Sequence, residues 1–130
     1  MSEGQDAFSR GMDIRRQMWG SEGAERRLAA ASDFNRPLEE AVTNFCFGEV
    51  WARPGIDHRT RSMLTLAILA SIGGVPNQLK THVRGAIANG VSPEEIREVL
   101  IHVMAYAGVP RAADAFSHAR EVLQELGLDK

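Results

Sequence analysis

The chain holds one cysteine, Cys46, among its 130 residues. A lone thiol excludes an intramolecular disulfide, a Cys-x-x-Cys redox pair and a zinc site built from several thiolates. A surplus of one charge is also lacking. Fifteen Lys and Arg against 17 Asp and Glu leave a formal net charge of −2, a poor electrostatic start for binding nucleic acid. Long apolar runs are missing. The longest, residues 63–72, is interrupted by Thr65 and Ser71 and is about half of the ~20 residues that a membrane span needs. Residues 1–13 are polar and open acidic, without the basic start and apolar run of a secretory leader. These absences predict a soluble, cytoplasmic protein with neither membrane nor nucleic acid as partner. Cys46 would be a free thiol there, and its Phe45-Cys46-Phe47 setting predicts a buried, structural one.

Several chemistries lack their motifs. There is no Gly-x-Gly-x-x-Gly, no P-loop and no Gly-x-Ser-x-Gly elbow. His82 and His102 do not form a His-Glu-x-x-His frame, and no Asp/Glu/His cluster has metal-ligand spacing.

What is present is an ordinary globular composition, 44% hydrophobic and 25% charged, at a length that predicts one domain over 1–130. Nothing repeats, and no Pro/Ser-rich linker divides the chain. Helical periodicity dominates, punctuated by Gly and Pro. A helix over 3–19, with Phe8, Met12, Arg15 and Trp19 on one side, is ended by Gly20 and Gly23. Asn35 is the predicted cap of a second helix, with Pro37 in its first turn and Leu38, Val42, Phe45 and Val50 as its apolar side. Arg53-Pro54-Gly55 stops it. A third helix runs from Asp57 to about Gly73. Its residues 63–72 are apolar almost all round, as in a core or a subunit interface. Pro76 opens a fourth, with Leu79, Val83, Ala86 and Ile87 on one face, closed by Asn89-Gly90. Ser92, Pro93 and Glu95 form a capping box before Ile96, Val99, Leu100 and Val103, with Val91 and Ile96 at the hydrophobic-staple positions. A last helix covers about 111–126. The prediction is an all-α domain of about five to seven helices.

Some residues conflict with a purely structural pattern. Arg53, His58, Arg59 and Arg61 crowd a breaker loop and a helix N-terminus, where the dipole disfavours cations. Such a conflict marks either an anion site, with guanidinium forks and helix N–H groups facing a carboxylate or phosphate, or pairing with acids such as Glu49 or a neighbouring subunit. His82 lies beside an apolar stripe. It is either a packed histidine or an acid–base group with a pKa near neutrality. Glu98, His102 and Tyr106, at i, i+4 and i+8, share one strip of their helix, as a surface pair or as an oriented histidine. His118 carries the weakest functional signal.

The stretch Gly48-Glu49-Val50-Trp51-Ala52-Arg53-Pro54-Gly55-Ile56-Asp57-His58-Arg59-Thr60-Arg61-Ser62 resembles the central signature of the γ-carboxymuconolactone decarboxylase family. The resemblance continues through Leu64-Thr65-Leu66-Ala67, Leu79-Lys80-Thr81-His82-Val83-Arg84, Asn89-Gly90-Val91 and Glu94-Glu95-Ile96-Arg97-Glu98-Val99-Leu100. It ends in Tyr106-Ala107-Gly108-Val109-Pro110-Arg111-Ala112-Ala113. Gly11-Met12-Asp13-Ile14-Arg15-Arg16 and Asp33-Phe34-Asn35-Arg36-Pro37 extend it toward the N-terminus.

The resemblance implies an AhpD-like helical fold assembled as a homo-oligomer, a trimer or hexamer. It also implies decarboxylation of 4-carboxymuconolactone to 3-oxoadipate enol-lactone, in the protocatechuate branch of aromatic catabolism, without a cofactor. Peroxidase-type relatives carry a Cys-x-x-Cys four residues before the histidine matched by His82. Residues 73–78 have no cysteine here, which argues against the redox branch. Within the decarboxylase branch a Gln is common in place of His102, a Cys in place of Ala107 and an acid near Gln78. These differences leave room for an altered substrate, and a non-catalytic helical module is a further alternative. In the roles so implied, Arg53, Arg59 and Arg61 bind carboxylates. His82 donates the proton or stabilises the enolate. Glu49 orients His82 or an arginine, or relays the proton. Trp51 and Tyr106 line the pocket, with His102 beside them.

Overall fold

The computed structural model describes residues 5–130. Among them all regular structure is helical, seven α-helices and one π-helical segment, in agreement with the all-α reading. The helices are α1 (Ala7–Gly23), α2 (Glu25–Ala29), α3 (Arg36–Ala41), α4 (His58–Ile72), α5 (Pro76–Ala88), α6 (Pro93–Ala107) and α7 (Val109–Glu125). The π segment, Val42–Trp51, continues α3. The chain divides into two compact units, one ending at His58 and the other spanning Arg59–Lys130.

In the N-terminal unit α1 begins where Asp6 accepts the backbone N–H of Ser9 at 2.8 Å. The predicted start at Glu3 lies outside the described residues. Gly20, at φ 67°, breaks the helical winding as expected, although the helix resumes to Gly23. The second predicted helix differs in kind. Its C-terminal ten residues are wound as a π-helix, in which the bonding widens to i→i+5. At the transition the Thr43 hydroxyl donates to the Glu39 carbonyl at 2.8 Å, a back-bond that competes with regular α-helical bonding. The wider winding moves the buried side to Thr43, Phe47, Gly48 and Trp51. Leu38 and Phe45, predicted to be buried, are exposed. Cys46 turns outward with Phe45 and is exposed, which corrects the expectation of a buried thiol. Asn35 stands at the cap position, but its Oδ1 accepts from the N–H and hydroxyl of Ser32 rather than from the helix.

Two glycines bring α1 and the π segment together. A Cβ on Gly11 would lie 2.0 Å from the Thr43 carbonyl oxygen, and one on Gly48 would lie 2.0 Å from that of Ala7. Only hydrogen fits at either point. Between these contacts Ile14, Met18, Phe47 and Trp51 form an apolar cluster. Arg15 is buried beside them. It donates to the Gly23 carbonyl at 2.8 Å and to the Thr43 hydroxyl at 2.9 Å, and lies 3.6 Å from buried Glu39. Glu39 also takes Arg27 at 2.8 Å. Burial holds the Arg15 pKa below its ordinary value, opposed by Glu39.

The C-terminal unit follows its sequence pattern more closely. Leu66 and Ala70 of α4, Leu79, Val83 and Ala86 of α5, Ile96, Leu100 and Val103 of α6, and the alanines and Val122 of α7 make one core. The capping box is formed: Ser92 Oγ accepts the N–H of Glu95 at 3.1 Å, and Glu95 accepts the N–H of Ser92 at 3.0 Å. The staple residues Val91 and Ile96 are both buried in this core. The last helix starts at Val109, two residues earlier than predicted, because Gly108 (φ 100°) turns the chain and Pro110 is tolerated in the first turn. One expectation fails in part. Of residues 63–72 only Leu66 and Ala70 are fully buried, while Leu64, Ile68 and Ile72 are exposed at i, i+4 and i+8. Met63, Ala67 and Leu69 are partly buried against the same core, so the outward stripe is what the core of the unit leaves uncovered.

Candidate functional site

In the N-terminal unit the signature residues lie at the end of the π segment. Glu49 is exposed on it. Trp51 is 7% exposed, with its ring 5.7 Å from Phe47 and 5.6 Å from His58. It is a core residue of the unit rather than an open wall. The His58 Nε2–H donates to the Trp51 carbonyl at 2.9 Å. A carbonyl oxygen only accepts, so Nε2 carries the proton. The loop 52–57 is thereby closed at its ends, and it carries Arg53, which is exposed and whose N–H bonds the Val50 carbonyl at 3.1 Å.

In the C-terminal unit Arg59 and Arg61 occupy the first turn of α4, both half-buried. Arg59 forms an ion pair with Glu95, at the third position of α6. This is the pairing alternative of the sequence reading, realised with a different acid from Glu49. Ser62, fully buried, accepts a hydrogen bond from the Asn89 side chain at 3.0 Å, joining the start of α4 to the end of α5. His82 is half-buried on α5, on the side of Leu79 and Ala86. Burial lowers its pKa to about 4. The imidazole is therefore neutral at pH 7, able to donate an N–H or accept a proton but not stored as an imidazolium.

His102 and Tyr106 share a strip of α6 as predicted, with ring centroids 5.0 Å apart. The strip faces outward: Tyr106 is 84% exposed and Glu98 is also exposed. His118 pairs with Asp114 one turn earlier on α7, at 3.4 Å, a local surface contact. Among the described residues no group of three or more His, Cys, Asp or Glu is placed to hold a metal ion, and no helix is long and apolar enough to cross a membrane.

Two contacts were not foreseen in the sequence. The Arg59–Glu95 pair joins residues far apart in the chain, and the only local clue was a glutamate already explained by capping. The His58–Trp51 bond spans a breaker loop that gives no periodic signal.

The sequence profile of the carboxymuconolactone decarboxylase family matches residues 36–121. The chain is 35% identical to the 4-carboxymuconolactone decarboxylase of Acinetobacter baylyi over 121 residues, covering 93% of this chain and 90% of the relative. It is 38% identical to a nitrosuccinic acid decarboxylase of Metarhizium robertsii over 120 residues, covering 92% and 82%. The chain belongs to the carboxymuconolactone decarboxylase family and is a carboxy-lyase.

Proposed function

We propose that the chain decarboxylates 4-carboxymuconolactone to 3-oxoadipate enol-lactone, in the protocatechuate branch of aromatic catabolism, as a cytoplasmic enzyme that needs no cofactor. The observation that carries this reading is the alignment with the bacterial 4-carboxymuconolactone decarboxylase along nearly the full length of both chains. The chemistry is self-contained. The bond between the ring carbon and its carboxylate breaks and CO2 leaves. The electron pair forms a new ring double bond, and the existing one shifts onto the lactone carbonyl oxygen, giving a dienolate. A proton then adds to the carbon next to that carbonyl. The lactone is the electron sink.

The protein has to hold the spare carboxylate, stabilise the enolate oxygen and allow protonation. His82 is assigned to the oxygen. A neutral imidazole in a half-buried setting donates its N–H where negative charge develops, which sharpens the earlier choice between proton donor and enolate stabiliser. Arg59 and Arg61 are assigned to carboxylate binding. Arginine has five donors, and one carboxylate occupies two of them at most, so the pairing with Glu95 leaves donors for a ligand. Arg53, on its closed loop, is assigned the same kind of contact. Glu49 is assigned to proton relay, and His102 and Tyr106 to a ligand-covering surface, with Trp51 as the support of the Arg53 loop.

A homo-oligomer belongs to the same proposal. Leu64, Ile68 and Ile72 form an uncharged exposed stripe, and a second copy presenting the same stripe is self-complementary across a two-fold contact.

The test is turnover of 4-carboxymuconolactone, followed by loss of ultraviolet absorbance. His82→Gln should lower kcat about 10²–10³-fold, the usual cost of one oxyanion donor. Near-normal turnover in an assembled variant would overturn the assignment. Arg59→Ala and Arg61→Ala should raise KM more than they lower kcat. The relative named for nitrosuccinic acid supports a second reading, a different small acid that carries its own electron-accepting group. Assaying both acids side by side decides between them.

A further inference from the structure

Glu95 uses its two carboxylate oxygens for different purposes. Oε1 accepts the Ser92 N–H at 3.0 Å and completes the capping box of α6. Oε2 forms the ion pair with Arg59 on the first turn of α4. The cap accounts for only the first of these, and a glutamine would serve it equally. The second needs a carboxylate. Arg59 stands at a helix N-terminus, where the dipole works against a cation, and its side chain is 41% exposed. A long side chain so placed would sample many rotamers. The ion pair with the Glu95 oxygen restricts the guanidinium, and through the complete capping box it ties Arg59 to the start of α6.

We propose that Glu95 is a positioning residue, which presents the Arg59 guanidinium to an incoming carboxylate. This rests on the reading that Arg59 binds substrate. Preorganisation of this kind acts on binding, because the ordering of the arginine is complete before the ligand arrives. Its loss therefore appears in KM, with kcat little changed.

Glutamine separates the two uses of Glu95, because it keeps the cap and removes the charge. The experiment compares Glu95→Gln, Glu95→Ala, Arg59→Ala and the double variant Glu95→Gln with Arg59→Ala. KM, kcat and the thermal midpoint are measured for 4-carboxymuconolactone, and calorimetric titration with succinate reads dicarboxylate binding without turnover. Glu95→Gln is expected to raise KM, and weaken succinate binding, about fivefold, the loss of one partly exposed charge contact, with an unchanged midpoint. Glu95→Ala should show the same rise together with a lower midpoint. The double variant should match Arg59→Ala alone, because the two residues act as one unit.

If Arg59→Ala weakens binding and Glu95→Gln does not, Arg59 binds without help and only the positioning role fails. If Arg59→Ala itself changes neither KM nor succinate affinity, the underlying reading fails and the inference falls with it. Tighter binding in Glu95→Gln would show Glu95 competing with the ligand, which overturns the proposal as well.

Discussion

The two units of this chain bury different chemistry. In the N-terminal unit a small apolar cluster, Ile14, Met18, Phe47 and Trp51, lies beside a buried polar set of Arg15, Glu39 and Thr43. In the C-terminal unit the core from Leu66 to Val122 is aliphatic throughout, and Ser62 is the one polar residue there described as fully buried. The first unit fixes its geometry by directional bonds and by backbone contact at Gly11 and Gly48. The second fixes it by filling volume. Directional bonding locks an unusual winding, the π segment that ends at the signature residues. It also makes the unit depend on each partner, because a buried ion left alone retains its full desolvation cost.

The largest expected effect follows from that dependence. Arg15→Met removes the guanidinium from Glu39, Thr43 and the Gly23 carbonyl together, leaving Glu39 only its contact with Arg27. It should cost about 4 kcal/mol in urea unfolding. Combining it with Glu39→Leu should restore a good part of that loss, because no buried charge then remains. If the single variant costs under ~1 kcal/mol, the polar set is not what holds the N-terminal unit. The matching change in the other unit is Leu100→Ala, expected to cost about 3 kcal/mol as a cavity. Leu100→Met, which conserves volume, should cost less than ~1.5 kcal/mol. No comparable conservative swap exists for Arg15, whose fork matches three acceptors at once.

This contrast also explains what the sequence could reveal. α5, α6 and α7 were legible because packing by volume leaves a periodic trace: Leu79, Val83 and Ala86, then Ile96, Leu100 and Val103. The capping box was legible because all its parts lie within four residues. The π winding was not, since its cause is a back-bond from Thr43 and two glycine contacts made with α1, none of which alters the apolar pattern locally. Reading 3.6-residue periodicity across 38–50 therefore placed Leu38 and Phe45 inside, and the phenylalanines flanking Cys46 suggested a buried thiol where the winding turns it outward. Of the candidate site, the basic cluster and His82 were visible as residue types in unusual places. The Arg59 partner was not visible, because an ion pair across 36 positions leaves no local mark.

A third measurement probes the C-terminal unit through its titratable group. His82 has a folded pKa of about 4 against an ordinary 6.5. Between these values the unfolded chain binds the proton more tightly, so stability falls as pH drops from 6.5 toward 4 and is unaffected above 7. At pH 5 the cost is on the order of 2 kcal/mol relative to pH 7.5. Subtracting the same pair of unfolding curves for His82→Gln isolates this contribution. An equal acid loss in the variant would assign the effect to other groups and leave His82 more solvated than its position beside Leu79 and Ala86 implies.

The smallest effect tests whether the two ways of building also differ at a helix end. Ser92→Ala deletes the hydroxyl that receives the Glu95 N–H, but it spares the reverse bond from the Ser92 backbone to Glu95 and the buried pair Val91 and Ile96. The expected loss is about 1 kcal/mol. In the N-terminal unit Asp6→Ala deletes the corresponding acceptor for the N–H of Ser9, and for the Ser9 hydroxyl with it, at a cap without a capping box. If the staple and box share the work of starting α6, the Ser92 loss should be the lesser of the two, measured by thermal unfolding under one buffer. A Ser92 loss that matches or exceeds the Asp6 loss would mean that the hydroxyl bond itself, rather than the redundancy around it, sets the start of α6. The Arg59 contact would then hang on a single hydrogen bond.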